Sequence, residues 1–101
     1  MTVKQFASFL ESIVPGWDSY NQIYGGFASY TYLNKNLTVL LNVRMYEEVD
    51  AVYSCVITSK SDENIFIEFY FDRYIGDGHK ESDQMFDEKI FMQTLRALDF
   101  L

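Results

Sequence analysis

Apolar residues recur with a helical period at the start of this chain and with a period of two through its middle. Val3, Phe6, Ala7, Leu10, Ile13 and Val14 fall at i, i+3, i+4, i+7, i+10 and i+11, which is one stripe of an amphipathic helix. Thr2-Val3-Lys4-Gln5 has the spacing of a capping box, in which the Thr2 hydroxyl and the Gln5 amide satisfy backbone donors that the first turn leaves open. Pro15-Gly16 ends the segment.

From Phe27 the period becomes two. Four β-rich segments, near 27–33, 37–46, 51–58 and 65–71, are separated by Asn34-Lys35-Asn36, by Glu47 to Asp50 and by Ser59 to Asn64. Links this short favour antiparallel neighbours, because a parallel return needs a crossover of a dozen or more residues. After Asp72 the stretch from Arg73 to Glu81, with Gly76-Asp77-Gly78 inside it, reads as a loop. A last helix is predicted from Ser82 or Asp83, with Phe86, Ile90, Leu95, Leu98 and Leu101 on one side and Asp83, Asp87 and Glu88 in its first turns. The expected architecture is a single α+β domain over residues 1–101: an N-terminal helix, a four-stranded antiparallel meander and a C-terminal helix.

Alternation sends Leu37, Val39, Leu41, Val43 and Met45 to one face of the sheet, and Ile65, Ile67, Phe69 and Phe71 to the same core. Burying one such side chain is worth roughly 1.5 to 3 kcal/mol against about 0 to 1 for a surface ion pair, so burial holds the fold together. The opposite face is predicted to carry Tyr30, Tyr32, Leu40, Tyr46, Val52, Val56, Phe66 and Tyr70 among Thr38, Asn42, Arg44, Ser54, Glu68 and Asp72. That is too apolar for a plainly solvated surface. Either one terminal helix covers each face, or the second face is a tyrosine-rich contact surface or homodimer interface.

Composition adds that the chain is a folded body. Hydrophobic residues make up 49% of its 101 residues and aromatics 18%, with a single proline, unlike a disordered acidic tail. The charge is uneven: residues 1–45 hold three bases against two acids, whereas residues 46–101 hold thirteen acids against five bases. Such a field repels nucleic acid and anionic membranes and attracts basic surfaces. The absence of any long apolar run predicts neither a membrane span nor a secretion signal, and hence a cytoplasmic protein. The single cysteine, Cys55, forms no intrachain disulfide and reads as a small buried hydrophobe.

Candidate chemistry is sparse. Trp17, Tyr20 and Tyr24, with Ile23 beside them, have the spacing of a short helix capped by Asp18, laying its rings over the edge of the core or offering them to a partner. Gly25-Gly26 reads as a plain turn, since no phosphate-loop signature surrounds it. Asp77, His79, Glu81, Asp83 and Glu88 echo the ligand spacing of an EF-hand loop, but Ser82 stands where that loop needs glycine and Gln84 where it needs an apolar residue. No metal or cofactor is therefore expected. His79, the only histidine, has no nucleophile at a recognisable spacing, and most acids fall in turns or on a helix flank, so no catalytic role is expected. A two-carboxylate hydrolase is the weakest of the readings.

What remains is recognition of another protein. The expected partner-binding residues are Glu47, Glu48, Asp50, Asp62 and Glu63 in the turns, with Tyr46, Glu68, Tyr70 and Asp72 on the adjoining strands. The two acidic turns lie at opposite ends of a meander, so one patch need not hold both. The expected function is that of a small acidic inhibitor occupying a basic surface, such as that of a nucleic-acid-handling enzyme. Phage and mobile-element inhibitors of CRISPR effectors or restriction enzymes have this size and charge, as do immunity proteins that neutralise toxin nucleases; no motif here identifies a family. The alternative is a homodimeric assembly subunit.

Overall fold

Thr2 starts the first helix as its spacing requires. Its hydroxyl accepts the Gln5 N–H at 3.1 Å, and the Gln5 side chain accepts the Thr2 N–H at 2.9 Å. The structure is a computed structural model describing residues 1–46, 49–71 and 84–101. In chain order the elements are α1 (Val3–Ile13), β1 (Asp18–Tyr24), β2 (Phe27–Asn34), β3 (Leu37–Tyr46), β4 (Val49–Ser59), β5 (Phe66–Tyr70) and α2 (Glu88–Ala97). The strands form one antiparallel sheet in the order β1-β2-β3-β4-β5. The α+β plan of helix, antiparallel meander and helix holds, with five strands rather than four.

The additional strand is Asp18–Tyr24, expected to be a short helix. It pairs with β2 without interruption from Asp18↔Leu33 to Tyr24↔Phe27 across the two-residue turn Gly25-Gly26. Gly25 sits at φ +61°, a conformation that glycine adopts without steric cost and that two-residue hairpins need at their first central position. Trp17 lies just before the strand and donates its indole N–H to the Leu10 carbonyl at 3.1 Å. Its ring rests 5.7 Å from Phe100, which ties the start of the sheet to the chain's end.

Both helices pack on the same face, so the three-layer alternative is not the one adopted. Phe6 and Leu10 of α1 and Phe91 and Leu95 of α2 are fully buried against Val39, Leu41, Val43, Cys55, Ile57 and Phe69 of the sheet. Phe6 is the centre of a ring cluster: its centroid lies 5.7 Å from Phe86, 5.9 Å from Phe91, 6.1 Å from Phe71 and 6.3 Å from Tyr32. Tilted and edge-on pairs at such spacings add to simple area burial.

Three residues expected on the open face belong to this core. Tyr30 and Tyr32 face the helices because the β2–β3 turn is only Lys35-Asn36, which sets Asn34 opposite Leu37 and turns every even residue of β2 inward. Val52 joins them through a β-bulge: Asn42 pairs with Ser54 but Val43 pairs with Val52, leaving Tyr53 as the extra residue. Core packing chose both registers.

The second helix begins later than its pattern suggested. Asp87 is its N-cap, accepting the Ile90 N–H at 3.0 Å, rather than an acid of the first turn. Ahead of it the chain is extended and bridges β5: Tyr70 donates its N–H to Gln84 at 2.8 Å, and Phe86 donates its own to Tyr70 at 2.7 Å. The buried side of α2 is Phe91 and Leu95, while Ile90 is exposed. The helix ends in a Schellman motif, with Phe100 N–H bonded to the Leu95 carbonyl, Asp99 N–H to Arg96, and Asp99 at φ +58°. The predicted loop from Arg73 to Glu81 and the predicted helix start at Ser82 or Asp83 lie outside the described residues.

Candidate protein-binding surface

With both described helices on one side, no described helix or strand covers the other face of the sheet. Strand pairing lays out its rows: Thr31, Leu40, Val56 and Glu68; then Ser29, Asn42, Ser54 and Tyr70; then Leu33, Thr38, Thr58 and Phe66. The middle is small and closed, with Ser29, Thr31, Ser54 and Val56 buried and the Asn42 amide donating to Ser54 Oγ at 2.8 Å. The large groups stand towards the β5 side. Phe66 is 66% exposed, and four residues on, the Tyr70 hydroxyl donates to Glu68 Oε1 at 2.7 Å.

That bond fixes a carboxylate between two rings along one strand. Glu68 keeps acceptor capacity beyond the one hydrogen bond, since an ionised carboxylate offers about four lone-pair sites. Arg44, on the same face in β3, breaks its uniformity. Its guanidinium carbon sits 5.4 Å from the Tyr53 ring centroid, and its Nε is buried with no hydrogen-bond partner. The face therefore carries a cation near the far end of β3 and an anion on β5.

Of the residues expected to bind a partner, Glu68 and Tyr70 meet on β5, whereas Asp62 and Glu63 lie in the turn that leads into it, with Asp62 facing the cleft on the helix side. Asp62 also has a local duty: Oδ1 accepts the Asn64 N–H at 2.9 Å and its carbonyl accepts the Ile65 N–H at 3.2 Å, which shapes the turn. Glu63 is exposed. Tyr46 and Asp50, described in their backbone only, lie where β3 and β4 meet at the other end of the sheet, paired as Tyr46↔Val49 and Met45↔Asp50. Glu47, Glu48 and Asp72 lie outside the described residues, as do Asp77, His79, Glu81 and Asp83 of the EF-hand-like run, whose last member, Glu88, opens α2.

Two positions escaped the sequence reading of the site. Phe66 was placed on this face but not among the contact residues, although it is the most exposed large apolar side chain described there. Asp99 carried no signal, since only the helix-ending motif brings it near Asp62. The two carboxylates, with Lys35, line a cleft of about 330 Å³ whose walls include Leu37, Ile65 and Phe100.

Cys55 is not a reactive group. Burial, helped by the nearby Glu68 charge, pushes its thiol up to about 12, so it stays protonated near neutral pH and packs as an apolar side chain. Burial also pushes the Tyr32 phenol upward, with Tyr30 adding to the shift. Among the described residues no group of three or more His, Cys, Asp or Glu side chains could hold a metal ion, and no helix is long and apolar enough to cross a membrane. No family model matches the chain, and neither a curated protein nor a solved structure matches it.

Proposed function

We propose that this protein is a small acidic binding protein that inhibits its partner by occupying a basic surface, and that a nucleic-acid-handling enzyme is the class of partner it suits. The observation that supports the reading best is the alternation of Phe66, Glu68 and Tyr70 on the face that no described helix or strand covers. A carboxylate held between aromatic rings can accept hydrogen bonds from Lys or Arg while the rings supply contact area at little entropic cost. The excess of acids after residue 45 adds a field that draws cationic surfaces and speeds encounter. The proposed role is binding without turnover.

Affinity capture on the immobilised chain, followed by titration of the captured protein at low and high salt, tests the proposal. Binding should weaken as salt rises and fall by about tenfold or more in Glu68→Lys or Phe66→Asp, the size of loss that truncating a contact hot spot brings. Binding indifferent to salt and to both changes would remove the electrostatic and aromatic recognition altogether.

A further inference from the structure

The β1 edge offers a different surface, in a different part of the molecule. Because the β1–β2 turn has two residues, its flanking pair Tyr24↔Phe27 is a hydrogen-bonded pair, and the pattern then alternates along the ladder. Asp18, Tyr20, Gln22 and Tyr24 therefore spend their backbone groups on β2. Ser19, Asn21 and Ile23 point theirs outward, where no described segment pairs with them. Every residue from Asp18 to Ile23 is exposed, with Tyr20 at 56% and Ile23 at 60%.

Edge strands are ordinarily blunted by lysine, proline, a bulge or a covering segment. Among the described residues this one has none of these: its pairing with β2 is continuous and its only charge is Asp18, at the outer end. The other edge is blunted, since Gln84 and Phe86 take the backbone groups of Tyr70. A regular edge that no described segment covers selects an extended backbone as its occupant.

We propose that β1 pairs antiparallel with β1 of a second copy of this chain about a two-fold axis at Asn21, extending the sheet across both protomers. Hydrogen-bond parity admits this register. Asn21 faces Asn21 of the other protomer and Ser19 faces Ile23, so the outward N–H and C=O groups of these residues all find partners in about six bonds. Side chains suit it as well: the Asn21 amides meet across the axis, and Tyr20 lies beside Gln22 of the second copy.

Charge decides between a second copy and a basic strand. Residues 1–45, which include β1, hold three bases against two acids, whereas the acids concentrate from residue 46 onward. Strands lie about 4.8 Å apart, so β4 is roughly 14 Å from β1 and beyond the Debye length of about 8 Å at physiological salt. Among the described residues the acids after residue 45 that lie in the sheet and its turns, Asp50, Asp62, Glu63 and Glu68, belong to β4, β5 and the turn between them, so their self-repulsion is screened at this edge and a cationic strand would be drawn to that side instead. The surface is independent of the one proposed to meet a basic partner.

The test is oxidative cross-linking of Asn21→Cys in the full chain. Directly paired Cα atoms lie about 5.5 Å apart, inside the span a disulfide bridges, whereas Ser19 of the two copies would stand roughly 14 Å apart. Asn21→Cys should go mostly to covalent dimer and Ser19→Cys should not, with buried Cys55 silent in both. Light scattering of the unmodified chain should show the mass rise from 11.9 kDa towards twice that value with concentration, over about 5 to 200 µM for so small an interface. Asn21→Pro, which removes an outward donor that β2 does not use, should hold the folded chain at monomer mass. A chain that stays monomeric throughout, equal cross-linking at both cysteines, or a dimer that survives Asn21→Pro would each overturn the proposal. A monomer that binds an unrelated extended peptide at β1 would overturn it too.

Discussion

At the β5 edge Tyr70 gives its N–H to Gln84 and accepts one from Phe86, whereas at the β1 edge the outward groups of Ser19, Asn21 and Ile23 meet no described segment. The difference follows from what lies beneath each edge. Phe86 anchors the covering segment by stacking on Phe71 at 4.4 Å and 20° and by meeting Phe6 and Phe91 in the ring cluster. β1 directs Ser19 and Asn21 towards the helix side and has no comparable ring to hold a cover in place. An edge is closed where apolar burial draws a neighbouring segment across it, and a hydrogen bond or two then follows.

Three changes press on that contrast. Phe86→Ala should have the largest effect, about 2 to 3 kcal/mol in urea unfolding, somewhat below the 3 to 5 of a fully buried phenylalanine. If the ring holds the cover, the Tyr70 amide should also exchange with solvent much faster than neighbouring β4 amides, as read by hydrogen exchange. Unchanged Tyr70 protection would mean that the backbone bonds hold the segment by themselves.

The buried Cys55 behind β5 makes a second, intermediate prediction. Burial raises Cys55 from its ordinary value near 9 to about 12, so between these values the unfolded chain has lost a proton that the folded chain keeps. Stability must therefore fall as pH rises through that window, by about 1.4 kcal/mol per unit from this group. Unfolding of the unmodified chain and of Cys55→Ala at matched pH should show a slope shallower by that amount in the second, where the raised Tyr32 phenol still contributes above its ordinary value. The smallest effect belongs to the open edge: Tyr20→Ser should change stability by no more than about 0.5 kcal/mol, measured at concentrations low enough to keep the chain monomeric.

Much of the plan was legible because the relevant forces are local. The Thr2–Gln5 box forms between residues three apart, and the stripe from Val3 to Ile13 marks a helix whatever it packs on. The strands β3 and β4 announce themselves by alternation that burial on one face requires. The candidate surface was legible in part, since Glu68 and Tyr70 share a strand and a face by period alone. Asp99 was not, because it meets the Asp62 turn only through the packed end of α2.

The misreadings share one cause. Trp17, Tyr20 and Tyr24 have helical spacing, yet β1 buries almost nothing of its own and takes its form from the Gly25-Gly26 turn and the ladder to β2. Tyr30 and Tyr32 were assigned to the open face by reading Asn34 as part of a three-residue loop. Removing one residue from that loop reverses every side chain of the strand.

The order of residues by itself determined the first helix, the extended form of β3 and β4, where the chain breaks, and that its acids gather after residue 45, because each depends on neighbours within a few positions. Only the tertiary structure decided which side of β2 is buried, that both helices share one face, and which sheet edge a described segment covers. Those outcomes come from a competition among whole surfaces for burial, and a one-residue change in register shifts it while leaving local patterns untouched.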